Sequence, residues 1–399
     1  MKQVDIITPV YLNSAIGPTS TLRRLLAHGD YIASRGYQIN VFTIDTLSPQ
    51  GPSEGAAVRS NHLAGLKSIA KRMVKRSGTL TALFLRREHR RAERTVRAYL
   101  ALGRKPDAVV FDEETTAHYY QTLTPHQEPK QVLFFHSDGH KWTMECLTYP
   151  KLARTRLFRT MDRRYEATIR RADRLVFIAR VGMENFLADN PDISPDRCSF
   201  FHNGIDDAPQ PHIDWQVTPR YRLVCTGTVD QRKGQHLIVE ALGRLTPEER
   251  APFSLTIVGG GPGIQPIEAM VRRYGLEGHV TMLGSIPNAQ VNEVLGRCTV
   301  FVLMSQNEGL PISIIEAMRA GLPVITTNVA GMPEQVTTGR NGVLLDPDAE
   351  ALAALFRGME QYDWPAMGRA SRQRYEAEFT FQLMLSRYCD MLDATLGAQ

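Results

Sequence analysis

Two carboxylates eight positions apart, Glu308 and Glu316, stand in the run S-Q-N-E-G-L-P-I-S-I-I-E-A-M-R-A-G over residues 305–321. A carboxylate accepts hydrogen bonds from hydroxyls, and a helix N-terminus offers N–H groups and a positive dipole end to an anion such as phosphate. Pro311 suits the first position of a helix and Gly321 its end, so the spacing predicts a helix over 311–320 with Glu308 in the loop before it and Glu316 in its body. Ile312, Ile314, Ile315, Ala317 and Met318 make that helix apolar almost all round, which predicts a buried one. A carboxylate inside it costs desolvation energy unless it has a partner. For either Glu alone a salt bridge is a sufficient account. Two of them flanking an anion site could instead accept hydrogen bonds from the hydroxyls of a bound sugar and a ribose.

Arg232 and Lys233 follow a strand pattern, R-L-V-C-T-G-T-V, in a loop before a helix. There they could hold a diphosphate, or be a plain surface pair. Gly17 lies in the first βα loop, where it either lets backbone approach a ligand or makes a turn. His136 ends the strand pattern Q-V-L-F-F-H, where open α/β sheets bind ligands, though a lone His also fits a structural role. G-G-G-P-G at 259–263 fails the dinucleotide spacing because position 264 is Ile. D-P-D at 346–348 reads as a helix cap, with Asp346 capping and Pro347 first in the helix. No His/Cys/Asp cluster has metal spacing, and no Ser-His-Asp or Cys-His pattern announces a nucleophile.

The elements that must carry these residues alternate strand and helix. V-D-I-I-T-P-V, a helix pattern and Y-Q-I-N-V-F-T-I open the chain as a βαβ unit, which implies a parallel sheet. The rhythm continues to about residue 200, breaks over the Pro- and Asp-rich segment 202–219, then restarts. With 399 residues, two Rossmann-like domains are expected, 1–200 and 201–379, with a C-terminal helix at about 380–399 packing back on the first. Hydrophobic content of 43% against 22% charged is a soluble globular balance. No apolar run reaches 18 residues and the N-terminus lacks a signal-peptide pattern, so neither a membrane-spanning helix nor export is expected. Five scattered cysteines read as reduced structural thiols of a cytosolic protein.

Charge is uneven. Residues 1–200 hold 31 Lys+Arg against 20 Asp+Glu, whereas the whole chain nets +5. Between Arg59 and Lys105 stand 14 basic residues and two acidic ones, and residues 63–76 keep amphipathic helical spacing. That pattern suits a surface element drawn to anionic lipid, or a solvated face. Nucleic acid is the weakest reading, because no aromatic stacking pattern accompanies the charge.

Taken together, the motifs resemble the retaining glycosyltransferases of family 4, which have the GT-B fold: α/β, two facing Rossmann-like domains with a cleft between them. The residues that carry the resemblance are Glu308 and Glu316 as an E-x7-E pair, S-Q-N-E-G-L-P, G-T-V-D-Q-R-K-G, V-G-G-G-P and A-G-M-P-E-Q-V-T-T-G-R-N-G. The match is strong over about 199–345, moderate over 1–45 and 130–190, and absent over 46–110. It implies an acceptor-binding first domain and a donor-binding second one. Glu308 would bind donor-sugar hydroxyls with the backbone of Gly309 and Leu310, at the turn into Pro311 and Ile312. Glu316 would hold the ribose diol, Lys233 would neutralise the diphosphate, and Gly17 would add its backbone to the same group. His136 would line the reaction centre, and the backbone at Ser285 and Ile286 would read the base. The family places Arg immediately after the strand-end glycine. Thr228 stands there in this chain, so Arg232 is expected to substitute.

The implied reaction is metal-independent, cofactor-free hexosyl transfer with retention. The donor is a nucleotide-diphosphate sugar, UDP-sugar before GDP-sugar. The acceptor is a glycan, a lipid-linked sugar or a cell-envelope polymer, and the setting is cytoplasmic, peripheral at the inner face of the membrane. Two alternatives remain: another GT-B enzyme such as a sugar-nucleotide epimerase or phosphorylase, and a non-catalytic polyanion-binding protein.

Overall fold

A computed structural model describes residues 1–12, 17–47, 73–124 and 129–397. It divides into two compact units, Met1–Phe201 with Leu385–Gln399, and His202–Met384.

The first unit is built on six parallel strands, β1 (Lys2–Ile7), β2 (Tyr37–Phe42), β3 (Ala108–Phe111), β4 (Lys130–Phe135), β5 (Arg174–Phe177) and β6 (Cys198–Phe200), in the order β2-β1-β3-β4-β5-β6. The inner strands are continuous apolar runs, AVVF in β3 and VLFF in β4, as a sheet covered on both faces requires. Phe111, Leu133, Phe177 and Phe186 fill the core, and the Phe135 and Phe177 rings stack at 4.8 Å.

After β1 the helical pattern does not run through. It divides into helices Gly17–Ala27 and Gly29–Ser34, with His28 between them and Gly29, a poor helix former, at the break. The amphipathic stretch 63–76 lies outside the described residues up to position 72. The arginine run beyond it forms a 23-residue helix, Gly78–Leu100, capped by Ser77, whose hydroxyl accepts from the Leu80 N–H. That helix buries His89, Ala92, Val96 and Tyr99, spaced three or four apart, and leaves Arg86, Arg87, Arg90 and Arg94 exposed. The last helix is Phe381–Leu396. Its residues from Leu385 onward belong to the first unit: Tyr388 stacks on Phe134 at 5.7 Å, and Asp390 and Asp393 pair with Arg35 at 2.8 and 2.9 Å.

The second unit repeats the design with β7 (Tyr221–Thr226), β8 (Phe253–Val258), β9 (Val280–Gly284), β10 (Val300–Leu303), β11 (Val324–Thr327) and β12 (Gly342–Leu345). Its order is β12-β11-β10-β7-β8-β9, all parallel. From β7 the chain winds outward through β8 to β9, then returns to the other side of β7 to begin β10. The crossovers therefore diverge between β7 and β10, and the carboxyl ends of these two strands form the topological switch point, where open α/β sheets bind ligands.

Two local expectations are corrected. The helix of the E-x7-E run is Ile312–Arg319, with Pro311 at its N-cap in an extended conformation rather than inside the first turn. The D-P-D segment does cap a helix, but through Asp348 and not Asp346. The helix is Ala349–Arg357, and the Asp348 carboxylate accepts from the N–H groups of Glu350 and Ala351, both at 2.9 Å. Pro347 thus lies before the cap, where a missing N–H costs nothing.

Candidate functional site

The loop after β7 and the loop after β10 touch through their backbones. Gly234 has φ +71°, and a Cβ there would lie 1.9 Å from the Met304 carbonyl oxygen, so only glycine permits this approach. Gln306 N–H donates to the Arg232 carbonyl at 2.8 Å, tying the loops together a second time. The β7 loop is also braced from within. The Asp230 carboxylate accepts from Lys233 N–H at 3.0 Å, and the buried Gln235 amide donates to the Thr228 carbonyl at 3.0 Å.

This scaffold brings three of the expected residues onto one atom. Lys233 Nζ and Arg232 Nη1 each lie 2.7 Å from Glu308 Oε1, and Ser305 Oγ donates to the same oxygen at 2.9 Å. Arg232 also donates to the Asn307 carbonyl at 2.9 Å. Glu308 is only 7% exposed, so its charge is held by charge-assisted hydrogen bonds in place of water. Two cations share one carboxylate oxygen, with Asp230 the second acid of the loop, and this cluster of charged N–H donors at the switch point suits an incoming anion.

The floor of the site is fixed from β11 and from A-G-M-P-E-Q. Thr327 Oγ1 donates to the Ser305 carbonyl at 2.6 Å, and the buried Gln335 amide donates to the Pro311 carbonyl at 3.1 Å. Gly309, Leu310 and Pro311 are buried. Beneath them Cys225 is buried in β7, and burial pushes its thiol up to about 12, so it is a packing residue and not a nucleophile at neutral pH.

Glu316 is not entombed. Ile312 and Ser313, then Glu316 and Arg319 at three-residue steps, form a half-buried stripe, while Ile314, Ile315, Ala317 and Met318 are buried on the other side. A helix that sequence alone paints as apolar all round therefore keeps one polar edge, and Glu316 escapes the full desolvation cost. Thr228 is exposed. Ser285 and Ile286 directly follow β9, and the glycine loop after β8 packs against them: a Cβ on Gly260 would lie 2.6 Å from Ser285 Oγ.

In the first unit, Gly17 opens the helix that follows β1. His136 lies one residue beyond β4, half-exposed and stacked on Phe134 at 6.2 Å. Its Nε2 is 3.7 Å from Asp112 Oδ1, too long for a hydrogen bond. Ser305, Asp112, Asp230 and Gln335 were missed by sequence reasoning. Ser305 and Asp112 had a usable signal, since each stands just past the carboxyl end of a strand; Asp230 and Gln335 stand inside G-T-V-D-Q-R-K-G and A-G-M-P-E-Q, but nothing in those motifs marks them as braces of the loops. Among the described residues no group of three or more His, Cys, Asp or Glu side chains is placed to hold a metal ion.

Comparison with known proteins bears on this geometry directly. Residues 215–375 match the family of glycosyl transferases group 1. The matched residues lie within the second unit, and Arg232, Lys233, Glu308 and Glu316 are all among them. The GDP-mannose-dependent alpha-(1-6)-phosphatidylinositol monomannoside mannosyltransferase of Mycobacterium tuberculosis (strain ATCC 25618 / H37Rv) is 29% identical over 202 residues, 46% of this chain and 52% of that protein. The chain spans about half the length of the curated relatives it matches. The sucrose-phosphate synthase of Thermosynechococcus elongatus superposes with TM-score 0.75 and 19% identity over 100% of both chains. Anabaena Alr3699/HepE, in complex with UDP, superposes with TM-score 0.61 and 15% identity over 99% of this chain and 100% of its own. The architecture is that of the GT-B glycosyltransferases, α/β with two Rossmann-like domains.

Proposed function

We propose that the protein is a retaining, metal-independent glycosyltransferase of family 4 that moves a hexosyl group from a nucleotide-diphosphate sugar to a glycan, a lipid-linked sugar or a cell-envelope polymer. The observation that carries this reading is the Arg232–Lys233–Glu308–Ser305 cluster at the β7/β10 switch point of a group 1 domain. Lys233 and Arg232 suit a diphosphate leaving group, whose developing charge they would stabilise without a metal. Glu308 would exchange part of its ion pairing for donor-sugar hydroxyls, and the half-exposed Glu316 would accept from a ribose diol. In the transfer step the bond from the anomeric carbon to the phosphate oxygen breaks and the bond to the acceptor oxygen forms on the same face. The acceptor's proton passes to the departing phosphate. The first unit would contribute the backbone at Gly17 and the His136 side chain.

A UDP-sugar is the favoured donor, in line with the UDP bound by HepE, and the GDP-mannose dependence of the mycobacterial relative makes a GDP-sugar the second candidate. The basic first unit suggests a cytoplasmic enzyme working at the anionic inner face of the membrane; no helix among the described residues is long and apolar enough to cross one. Thermal-shift measurements with UDP-, GDP- and ADP-sugars test the donor, with stabilisation by one nucleotide class expected. Glu308→Gln and Lys233→Ala should each cut transfer at least a hundredfold while leaving the fold intact. Full activity in either variant would sink the assignment.

A further inference from the structure

Away from the Lys233 cluster, the first unit holds a second convergence of positive charge. Helices Gly78–Leu100 and Arg156–Arg171, with Tyr119 from helix Glu114–Leu123, enclose a recess of about 310 Å³. Arg86 and Arg90 enter it one turn apart from one helix, and Arg156 and Arg164 two turns apart from the other. Among the described residues no carboxylate lines it; the half-buried Glu114 lies in the adjoining cavity that His89 and Arg164 share. The acids of both helices are engaged elsewhere: Glu88 with Arg91 at 3.5 Å, Glu93 with Arg97 at 2.8 Å, and Asp162 and Glu166 with Lys141 at 2.7 and 2.9 Å. Arg164 lies over the Tyr119 ring at 5.7 Å and donates to its hydroxyl at 3.3 Å, which fixes the guanidinium plane. His89, only 8% exposed, lines the same recess, and burial followed by the charge of Arg164 lowers its pKa to about 4.

An ordinary solvated basic face intersperses its arginines with acids. Here four arginines line one concavity, and the acids of the two helices that carry them pair with other residues. Such mutual repulsion is relieved by an anion that accepts several N–H donors at once, and planar guanidiniums match phosphate oxygens in pairs. We propose that this recess is a binding site for a phosphate or diphosphate group, carried by an anionic lipid headgroup or by a soluble phosphate compound. A recess of about 310 Å³ is at the small end of ligand pockets and has room for a diphosphate.

The test follows the His89 ring by NMR while the protein is titrated with inorganic pyrophosphate. A Lys233→Ala background prevents the cluster of the second unit from taking the probe. Saturable binding is expected, with the His89 pKa rising as the anion offsets Arg164. Binding should weaken at least tenfold in an R86Q/R90Q/R156Q variant whose circular dichroism is unchanged. A His89 signal unmoved by pyrophosphate, or equal affinity in the triple variant, would overturn the site. Flotation with phosphatidylglycerol against phosphatidylcholine vesicles separates the sources. Phosphatidylglycerol binding that pyrophosphate displaces and the triple variant loses supports the site with a lipid ligand. Pyrophosphate binding without vesicle binding supports it with a soluble one. Vesicle binding that survives in the triple variant, with no pyrophosphate response at His89, would show a solvated basic face and refute the pocket.

Discussion

Glu308 Oε1 accepts from three donors of different kinds, and the smallest of them offers the cleanest probe. Removing Lys233 or Arg232 changes the net charge of the cluster, whereas Ser305 contributes only position. A hydrogen bond to a charged acceptor is worth roughly 1.5–3 kcal/mol. Ser305→Ala is therefore expected to lower kcat/KM by about tenfold or more by loosening the Glu308 carboxylate, with the circular dichroism unchanged and the unfolding midpoint of the second unit lowered by the loss of that buried bond. Steady-state kinetics beside a urea titration checks this. Unchanged kcat/KM would mean that the two cations alone hold Glu308 in place.

At the scale of elements, helix Gly78–Leu100 buries His89 in a cavity shared with Arg164, His118 and Glu114. Burial, then Arg164 and His118, lower its pKa to about 4, and burial with Arg164 and Arg171 does the same for His118 on helix Glu114–Leu123. An unfolded histidine titrates near 6.5. Between pH 6.5 and 4 the unfolded chain therefore binds protons that the folded first unit refuses. The stability is fully present above about 6.5 and is lost as pH falls toward 4, by on the order of 3 kcal/mol for His89 alone. Burial also raises the carboxyl pKa of Glu114 and of Glu145 to about 7, which acts in the opposite sense over the same window, so the His89 share is read as a difference: relative to His89→Gln, the wild-type urea midpoint should fall between pH 7 and 4.5. Parallel pH profiles in the two proteins would show that His89 protonates without hindrance.

For the whole molecule, the two-unit division is not sequential. Leu385–Gln399 belongs with Met1–Phe201, where Tyr388 and Leu392 are buried and Asp390 and Asp393 pair with Arg35. Deleting residues 385–399 strips Phe134 and Phe201 of their aromatic neighbour Tyr388. Loss of a buried aromatic alone costs about 3–5 kcal/mol. The truncated chain should show a first-unit transition at clearly lower temperature in calorimetry, with the second unit's transition retained. An unshifted first-unit transition would place the stabilising contacts of that segment elsewhere.

Much of this was legible in the order of residues. Parallel-sheet strands declare themselves as short apolar runs, and the alternation of strand and helix gave the α/β class and the break near residue 202. Glu308, Arg232 and Lys233 were identifiable as types in suggestive loops, because strand ends and helix starts are read from local chemistry. Sequence could not show that these three meet on one oxygen. That depends on the crossover from β9 back past β7, which sets residues 232 and 308 side by side though 76 positions separate them. Nor could it show that the helix bearing Glu316 keeps a polar edge, or that Asp348 and not Asp346 makes the cap. The arginines of the first unit looked like a diffuse basic face. Only packing turned four of them into one recess: Glu88 and Glu93 pair along their own helix at spacings the sequence shows, but that Asp162 and Glu166 meet Lys141, and that arginines of two helices line one concavity, depends on how the helices pack.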